Sequence, residues 1–197
     1  MFGKLFAKTR KSAESITILA RLNDRAQPMD RGELYEDPLE KVLKRHRAGS
    51  VTGGGTQLGP DNEIEFCDIE IEIYKPEANH LELVKQTLEE LGAPKGSKLL
   101  LGEDEEEVLF GLNEGLAVYL NGTDLPDEVY SDCDANFVYD EFNRLLDSEG
   151  KVHSYWQGST ETALYVYGPS FDTMNERLSG FLASYPLCQS ARVVRIA

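Results

Sequence analysis

The sequence contains few cysteines and no arrangement that would use them. Among its 197 residues only three are cysteine, Cys67, Cys133 and Cys188, and no C-x-x-C motif occurs. An odd number of widely separated cysteines gives no disulfide framework and is typical of reduced thiols in a cytosolic protein. Long apolar runs are also lacking, and none approaches the ~20 residues that a membrane span needs. We therefore expect a cytoplasmic protein that makes no contact with a membrane.

Patterns that would hold a metal, a cofactor or a reacting group are missing as well. The three histidines, His46, His80 and His153, have no carboxylate or cysteine at a zinc-ligand spacing. Residues 132–136 begin like a calcium loop, but the position of its required glycine is occupied by Phe137. No spacing combines a nucleophile with an oxyanion hole. The sequence predicts no metal, no cofactor and no catalytic residue, and so a non-enzymatic protein.

Basic residues are scarce outside the N-terminal quarter. Residues 1–49 carry 11 Lys+Arg and 7 Asp+Glu, a net charge of +4, whereas residues 50–197 carry 9 and 28, a net charge of −19. A surface of this sign repels phosphate backbones and attracts basic surfaces, and it makes association fast and salt-sensitive. We expect no binding of nucleic acid and we expect a basic protein partner.

What the sequence does contain is the same order of predicted elements twice. Each half reads helix, strand, strand, helix, strand. The strand over Ile64–Tyr74 alternates apolar and acidic residues, and Gly158-Ser159 is a two-residue turn between two strands of the second half. Helices alternating with antiparallel hairpins predict an α+β fold of two ferredoxin-like αββαβ repeats, with helices on one face of each antiparallel sheet. Whether the repeats share a continuous sheet is left open.

The predicted domain organisation follows from these repeats and from the charge distribution. The first residues are basic, and the region between the repeats contains many acids and no Lys or Arg. The predicted units are a basic N-terminal arm (1–35), a first repeat (36–101), an acidic linker with a possible hairpin (102–133) and a second repeat (134–197).

A glycine-rich stretch is the most distinctive local feature. Consecutive glycines let backbone N–H groups converge on an anion. No Lys-Ser/Thr pair follows and the next predicted element is a strand, so neither a P-loop nor a dinucleotide-binding turn is satisfied. The alternative is a flexible hairpin connection, or a bend where another backbone comes close. The candidate ligand-binding residues are Gly53, Gly54, Gly55 and Thr56.

Two further sets of residues are candidates for binding a partner. The first is a row of carboxylates about 7 Å apart on one side of the strand over 64–74, which either faces water or meets Lys or Arg from elsewhere in the molecule or from a partner. In the second set, His153 is expected to share a face of the second-half hairpin with Tyr155 and Leu164. The candidate partner-binding residues are Asp68, Glu70, Glu72, His153, Tyr155 and Trp156.

The opposite face of that hairpin is expected to carry Trp156 and Tyr165. An exposed aromatic face could bind a ligand or a partner, and the alternative is that these rings fill the core or the space between the repeats. Two functions follow from the whole pattern. The first is a cytosolic interaction module whose acidic surface binds a basic protein, as an inhibitor, an immunity-type protein or an adaptor would. The second is a small-ligand or anion sensor that uses the glycine-rich stretch or the contact between the repeats.

Overall fold

The computed structural model describes residues 15–74, 78–102 and 106–197, which form two repeats of the order β-α-β-β-α-β. The helical segment of the first repeat is continuous from Pro28, because a π-helical turn at Gly32–Glu36 joins its two α-helices. The first repeat consists of β1 (Ser15–Leu22), α1 (Pro28–Arg31), α2 (Asp37–His46), β2 (Gly49–Leu58), β3 (Ile64–Tyr74), α3 (Ala78–Glu90) and β4 (Ser97–Leu101), and is followed by β5 (Glu106–Phe110).

The second repeat has the same succession of elements. It consists of β6 (Glu114–Asn121), α4 (Asp127–Asp132), α5 (Ala135–Leu146), β7 (Lys151–Gln157), β8 (Glu161–Gly168), α6 (Phe171–Ser184) and β9 (Arg192–Arg195). The sheets have the strand orders β2-β3-β1-β4-β5 and β7-β8-β6-β9, and every pairing within them is antiparallel. Both orders place the first strand of the repeat between the third and the fourth, which is the ferredoxin-like arrangement. The predicted fold class is confirmed, and the two repeats form separate sheets.

Each repeat begins one strand earlier than the sequence analysis placed it. Ser15–Leu22, assigned there to the basic arm, is the central strand β1, which pairs with β3 along its whole length and with β4. Its apolar residues alternate with polar ones, so that Ile18, Ala20 and Leu22 are buried in the core. Residues 1–14 of the predicted arm lie outside the described residues.

The hairpin expected in the acidic linker does not form. The strands β5 and β6 follow each other in the chain, but β5 pairs with β4 in the first sheet, whereas β6 pairs with β8 and β9 in the second. The short connection at residues 111–113 therefore joins the two sheets. Because β6 lies at the centre of its sheet, most of the predicted linker belongs to the fold.

The helices of each repeat cover one face of its own sheet. In the first repeat the buried isoleucines of β3 pack against Leu39 and Leu43 of α2 and Leu88 of α3. In the second repeat Val138 of α5 and Met174 of α6 are buried in a core that also holds the inward residues of β6 and β8. The other face of each sheet has no helix of its own repeat, and these two helix-free faces differ in what lies on them.

Candidate functional site

The helix-free face of the second sheet is covered by the first repeat. Residues 23–27, which connect β1 to α1, lie against it, and we call this contact the seam. The backbone N–H of Arg25 donates to the Tyr167 hydroxyl at 3.0 Å, and the Ser154 hydroxyl donates to the Arg25 carbonyl at 2.6 Å. A small cluster of buried residues forms the sheet side of the seam, namely Ala117, Tyr119, Ala163, Tyr165 and Tyr167.

A fully buried carboxylate, that of Asp24, occupies the centre of the seam. Its Oδ2 atom accepts a hydrogen bond from the Tyr35 hydroxyl at 2.5 Å and lies 2.8 Å from Nδ1 of His153. Its Oδ1 atom is buried and has no hydrogen-bond partner among the described residues. The site therefore joins the loop after β1, the π-helical turn that carries Tyr35, and strand β7 of the other repeat.

The Asp24 carboxylate also holds its neighbours in place. Its Oδ2 atom and Nδ1 of His153 share one hydrogen bond, while Nε2 of the imidazole has no hydrogen-bond partner among the described residues. Burial raises the pKa of the Tyr35 hydroxyl well above its usual value, and the nearby Asp24 carboxylate raises it further, so Tyr35 remains a donor.

A cavity of about 470 Å³ lies beside this group, at the edge of the seam. Its wall includes residues of α1, of the beginning of α5 and of both strands β7 and β8. The His153 side chain, which is only 7% exposed, lies between Asp24 and the cavity. Within 15–74, 78–102 and 106–197 no lysine or arginine lines the cavity, and Asp30 is the one carboxylate that does. Burial raises the pKa of Asp30, while a backbone hydrogen bond from Gln27 acts in the opposite direction.

A second carboxylate, that of Glu63, ties the repeats together elsewhere on the seam. Its Oε1 atom accepts hydrogen bonds from the hydroxyls of Tyr119 at 2.5 Å and Tyr165 at 2.8 Å, and it forms an ion pair with Arg25. Burial, and then the hydrogen bond to Glu63, raise the pKa of Tyr165 far above its usual value. Because every group of this network has a partner, we assign it a structural role.

His153 does not lie where the sequence predicted. It was expected to share a face with Tyr155 and Leu164, but the pairing of β7 with β8 shifts by one residue between Val152 and Ser154. This β-bulge turns His153 toward Asp24 and the Tyr167 ring, whose centroid lies 4.8 Å from that of the imidazole. The structure thus brings His153 together with Asp24 and Tyr35, for which the sequence analysis gave no role.

The other aromatic candidates of the hairpin take different positions. Tyr155 is half-exposed and lines the cavity. Trp156 packs against the seam, where its indole N–H donates to the Asp61 carbonyl at 3.1 Å. The face that carries Trp156 and Tyr165 is therefore the contact between the repeats, which was the second of the two interpretations.

The predicted acidic row lies on the helix-free face of the first sheet. Asp68 is held there by Arg21, whose Nε and Nη2 atoms each donate to one of its oxygens at 2.9 Å. Glu70 and Glu72 have no ion-pair partner among the described residues. One member of the row is thus neutralised within the molecule, while the other two leave uncompensated charge on the face.

The glycine-rich stretch is part of strand β2 and not a loop. Gly53 to Thr56 pair with β3 in register, and the Nη1 atom of Arg31 donates to the Gly55 carbonyl at 2.9 Å and to the Thr56 hydroxyl at 2.8 Å. A Cβ atom on Gly54 would lie 2.6 Å from a Glu36 carboxylate oxygen, so glycine is needed for the close approach of Arg31 and Glu36. Anion binding by Gly53–Thr56 stays a prediction.

Three negative results frame the site. No group of three or more His, Cys, Asp or Glu side chains could hold a metal ion within 15–74, 78–102 and 106–197. Across the same ranges, no helix has the length and apolar character needed to cross a bilayer. No family model and no curated protein matches the sequence.

Several solved structures are similar to this chain over most of its length, at low identity and with TM-scores of 0.30 or less. An unknown protein from Galdieria sulphuraria is 11% identical, with 92% of this chain and 98% of that one covered and a TM-score of 0.30. The first two RRM domains of the yeast poly(U)-binding protein Pub1 are 12% identical, with 91% and 99% covered and a TM-score of 0.25. The regulatory subunit of aspartate kinase from Thermus thermophilus is 12% identical, with 84% and 92% covered and a TM-score of 0.26. At this level of similarity none of them indicates a function for this chain.

Proposed function

We propose that this chain is a non-enzymatic cytoplasmic interaction module that binds a basic protein partner on the helix-free face of its first sheet. The observation that carries the proposal is the row of carboxylates on that face, of which Glu70 and Glu72 have no cation beside them among the described residues. The net charge of −19 on residues 50–197 acts in the same direction, because it steers basic proteins toward the surface.

The same face also carries apolar side chains. Leu19 is directly opposite Glu70 on one side and Leu100 on the other, and Leu109 on the edge strand β5 is 69% exposed. Protein interfaces typically combine a buried apolar centre with charged and polar residues around it. An exposed leucine on the same face as uncompensated carboxylates suits a basic surface with some apolar character.

The test compares two double variants of the same charge. Glu70→Gln with Glu72→Gln removes the acidic row, whereas Glu90→Gln with Asp132→Asn removes two exposed acids from α3 and α4. We expect the unaltered chain to capture a basic protein at low salt, and the purified partner to bind the first variant about tenfold more weakly and the control unchanged. Capture that is insensitive to salt, or binding unaffected by the loss of the acidic row, would contradict the proposal.

A second candidate function is the binding of a small ligand in the seam cavity. It is favoured by the volume of about 470 Å³, which is in the range of ligand sites, and by an imidazole whose Nε2 has no partner among the described residues. A thermal-shift screen tests it, since a ligand at 100 times its dissociation constant adds about 2.7 kcal/mol to the free energy of unfolding.

A further inference from the structure

We infer that the seam cavity is a site for a single cationic nitrogen group, an ammonium or a guanidinium, held by the Asp30 carboxylate and by the rings of Tyr139 and Tyr155. The inference rests on the second candidate function above, the binding of a ligand in this cavity, and it names the chemical class of that ligand.

The charge of the cavity wall gives the first argument. Among the described residues Asp30 is its only lining carboxylate, and none of those that line it is a lysine or an arginine. Asp30 is half-buried, so its carboxylate is less hydrated than that of an exposed residue. A cation in the cavity would replace that hydration and would be screened less than at an open surface.

The orientation of His153 gives the second argument. Its Nδ1 atom is engaged by the fully buried Asp24, which holds the imidazole in one orientation at the cavity wall. The Nε2 atom has no hydrogen-bond partner among the described residues, so this part of the wall is free to contact a ligand.

The aromatic part of the wall suits the same class of ligand. Tyr139 and Tyr155 both line the cavity and are both at least 36% exposed. Tyrosine rings attract cations through their negative faces.

An anion is the alternative that the helix α5 would favour, and the structure argues against it. The first residues of α5 line the cavity, and a helix N-terminus attracts negative charge. The Asp134 carboxylate already accepts the N–H of Asn136 at 2.8 Å and its side-chain amide at 3.0 Å. The N–H of Asn136 is thus already engaged by a carboxylate, and Asp134 adds negative charge beside the cavity.

The cationic group has two possible sources with the same chemistry. It is either a free amine or guanidine molecule, or a lysine or arginine side chain of a basic protein that reaches into the cavity. The open rim formed by the half-exposed Tyr155 permits both.

The experiment uses four probes of equal chain length: butylammonium, butylguanidinium, butanol and butyrate. Binding is followed by NMR, because the chain has only three histidines and the imidazole signals of His153 can be assigned with one variant. A fifth and a sixth probe, two neutral-ended pentapeptides with a central Lys or a central Gln, distinguish the two sources. For probes of this size we expect dissociation constants on the order of 1 mM.

Two single variants provide the matched comparison. Asp30→Asn removes the proposed counter-charge and keeps the side-chain shape, and Glu33→Gln removes the same charge from an exposed residue one turn further along the helical segment. We expect the two butyl cations to shift the His153 signals and to bind Asp30→Asn about tenfold more weakly than the unaltered chain or Glu33→Gln. The thermal midpoint of Asp30→Asn should be unchanged, since a half-buried carboxylate with a raised pKa loses nothing by becoming neutral.

Each outcome decides the inference. Binding of the cations but not of butanol or butyrate supports it, and binding of the Lys peptide alone supports it with a protein side chain as the source. If butanol or butyrate binds as tightly as butylammonium, the cationic class is wrong while the cavity remains a ligand site. If no probe shifts His153, both the inference and the small-ligand function fail, and the basic-partner proposal is judged by its own pair of variants.

Discussion

The helix-free faces of the two repeats differ, although the two sheets share one topology. Both sheets have the same strand order, and both carry helices on one side only. On the second sheet the helix-free face is covered by the loop after β1, and its polar groups are hydrogen-bonded to that loop. On the first sheet the corresponding face carries Glu70 and Glu72 without a counter-ion among the described residues.

The two faces differ because the two repeats have different side chains on them. Tyrosines and alanines line the covered face, because a tyrosine can bury its ring and still satisfy its hydroxyl with Glu63 or Arg25. Carboxylates spaced two residues apart line the other face, and their burial without partners would be costly. The first repeat therefore covers a face of the second sheet, while its own helix-free face carries carboxylates without a counter-ion among the described residues.

The largest expected effect comes from removing the carboxylate at the centre of the covered face. Asp24→Ala leaves the buried Tyr35 hydroxyl without an acceptor and Nδ1 of His153 without its hydrogen-bond partner. We expect the free energy of unfolding to fall by about 3–5 kcal/mol, as happens when one partner of a buried polar pair is deleted. Urea denaturation measures it, and Asp140→Ala, which removes an exposed acid from α5, is the control. Equal midpoints for the two variants would show that the covered face does not depend on Asp24.

A smaller and pH-dependent effect is expected at Glu114, where the repeats are linked by charge. Its oxygens accept hydrogen bonds from Lys95 of the first repeat at 2.8 Å and from the backbone of Phe171 at 2.7 Å, and Arg195 lies at 3.0 Å. The hydrogen bond from Lys95 is the main cause that lowers the pKa of Glu114 to about 2.

A lowered pKa means that the folded chain holds the ionised form more strongly than the unfolded chain does. The stabilisation is complete above the ordinary pKa of about 4.5 and is lost as the pH falls through about 2. Glu114→Gln should therefore lower the thermal midpoint at pH 7 and match the unaltered chain near pH 2. A constant difference between the two proteins over this pH range would mean that the ion pairs of Glu114 contribute nothing.

The smallest effect is expected on the open face. Arg21→Met removes the ion pair with Asp68, in which the side chains are 32% and 18% exposed. Partly exposed pairs of this kind contribute about 1 kcal/mol or less, because water screens them and two side chains must be held in place. Denaturation at low and high salt measures the loss. A loss as large as that of Asp24→Ala would remove the distinction between the two faces.

Much of the fold could be predicted from local patterns. The alternation in β3 identifies that strand and its buried isoleucines, and Asp134 caps the helix α5 as its spacing before the helix indicates. Strand β1 was missed, and β6 was predicted as an arm of a possible hairpin and not as the first strand of the second repeat, each for a physical reason. β1 follows a basic segment, and the sequence analysis assigned both to one basic arm. The alternation of apolar residues in β1 nevertheless indicates a strand. β6 is apolar on both faces because it lies at the centre of a covered sheet, so it resembles a hairpin arm.

The candidate site was far less predictable. Asp24 and His153 are 129 residues apart in the chain, and only the packing of one repeat on the other brings them together. A buried Asp with a single neighbouring Tyr has no local signature, and the bulge that turns His153 inward does not follow from composition. The three consecutive glycines at 53–55 are the most distinctive local pattern of the sequence. In the structure they leave room for the Arg31 side chain to cross strand β2.

The connection at residues 111–113 has a consequence for movement between the repeats. Gly111 has φ of +99°, and an added Cβ atom would overlap the Pro94 carbonyl. The next two residues form hydrogen bonds with the loop between α3 and β4. The N–H of Leu112 donates to the Ala93 carbonyl at 3.0 Å, and the Asn113 carbonyl accepts from the N–H of Lys95 at 2.7 Å. A hinge needs backbone torsions that can change, whereas those of residues 111–113 are held by hydrogen bonds to the loop between α3 and β4. The backbone of residues 111–113 therefore adds to the hydrogen bonds of the seam in holding the two repeats in position.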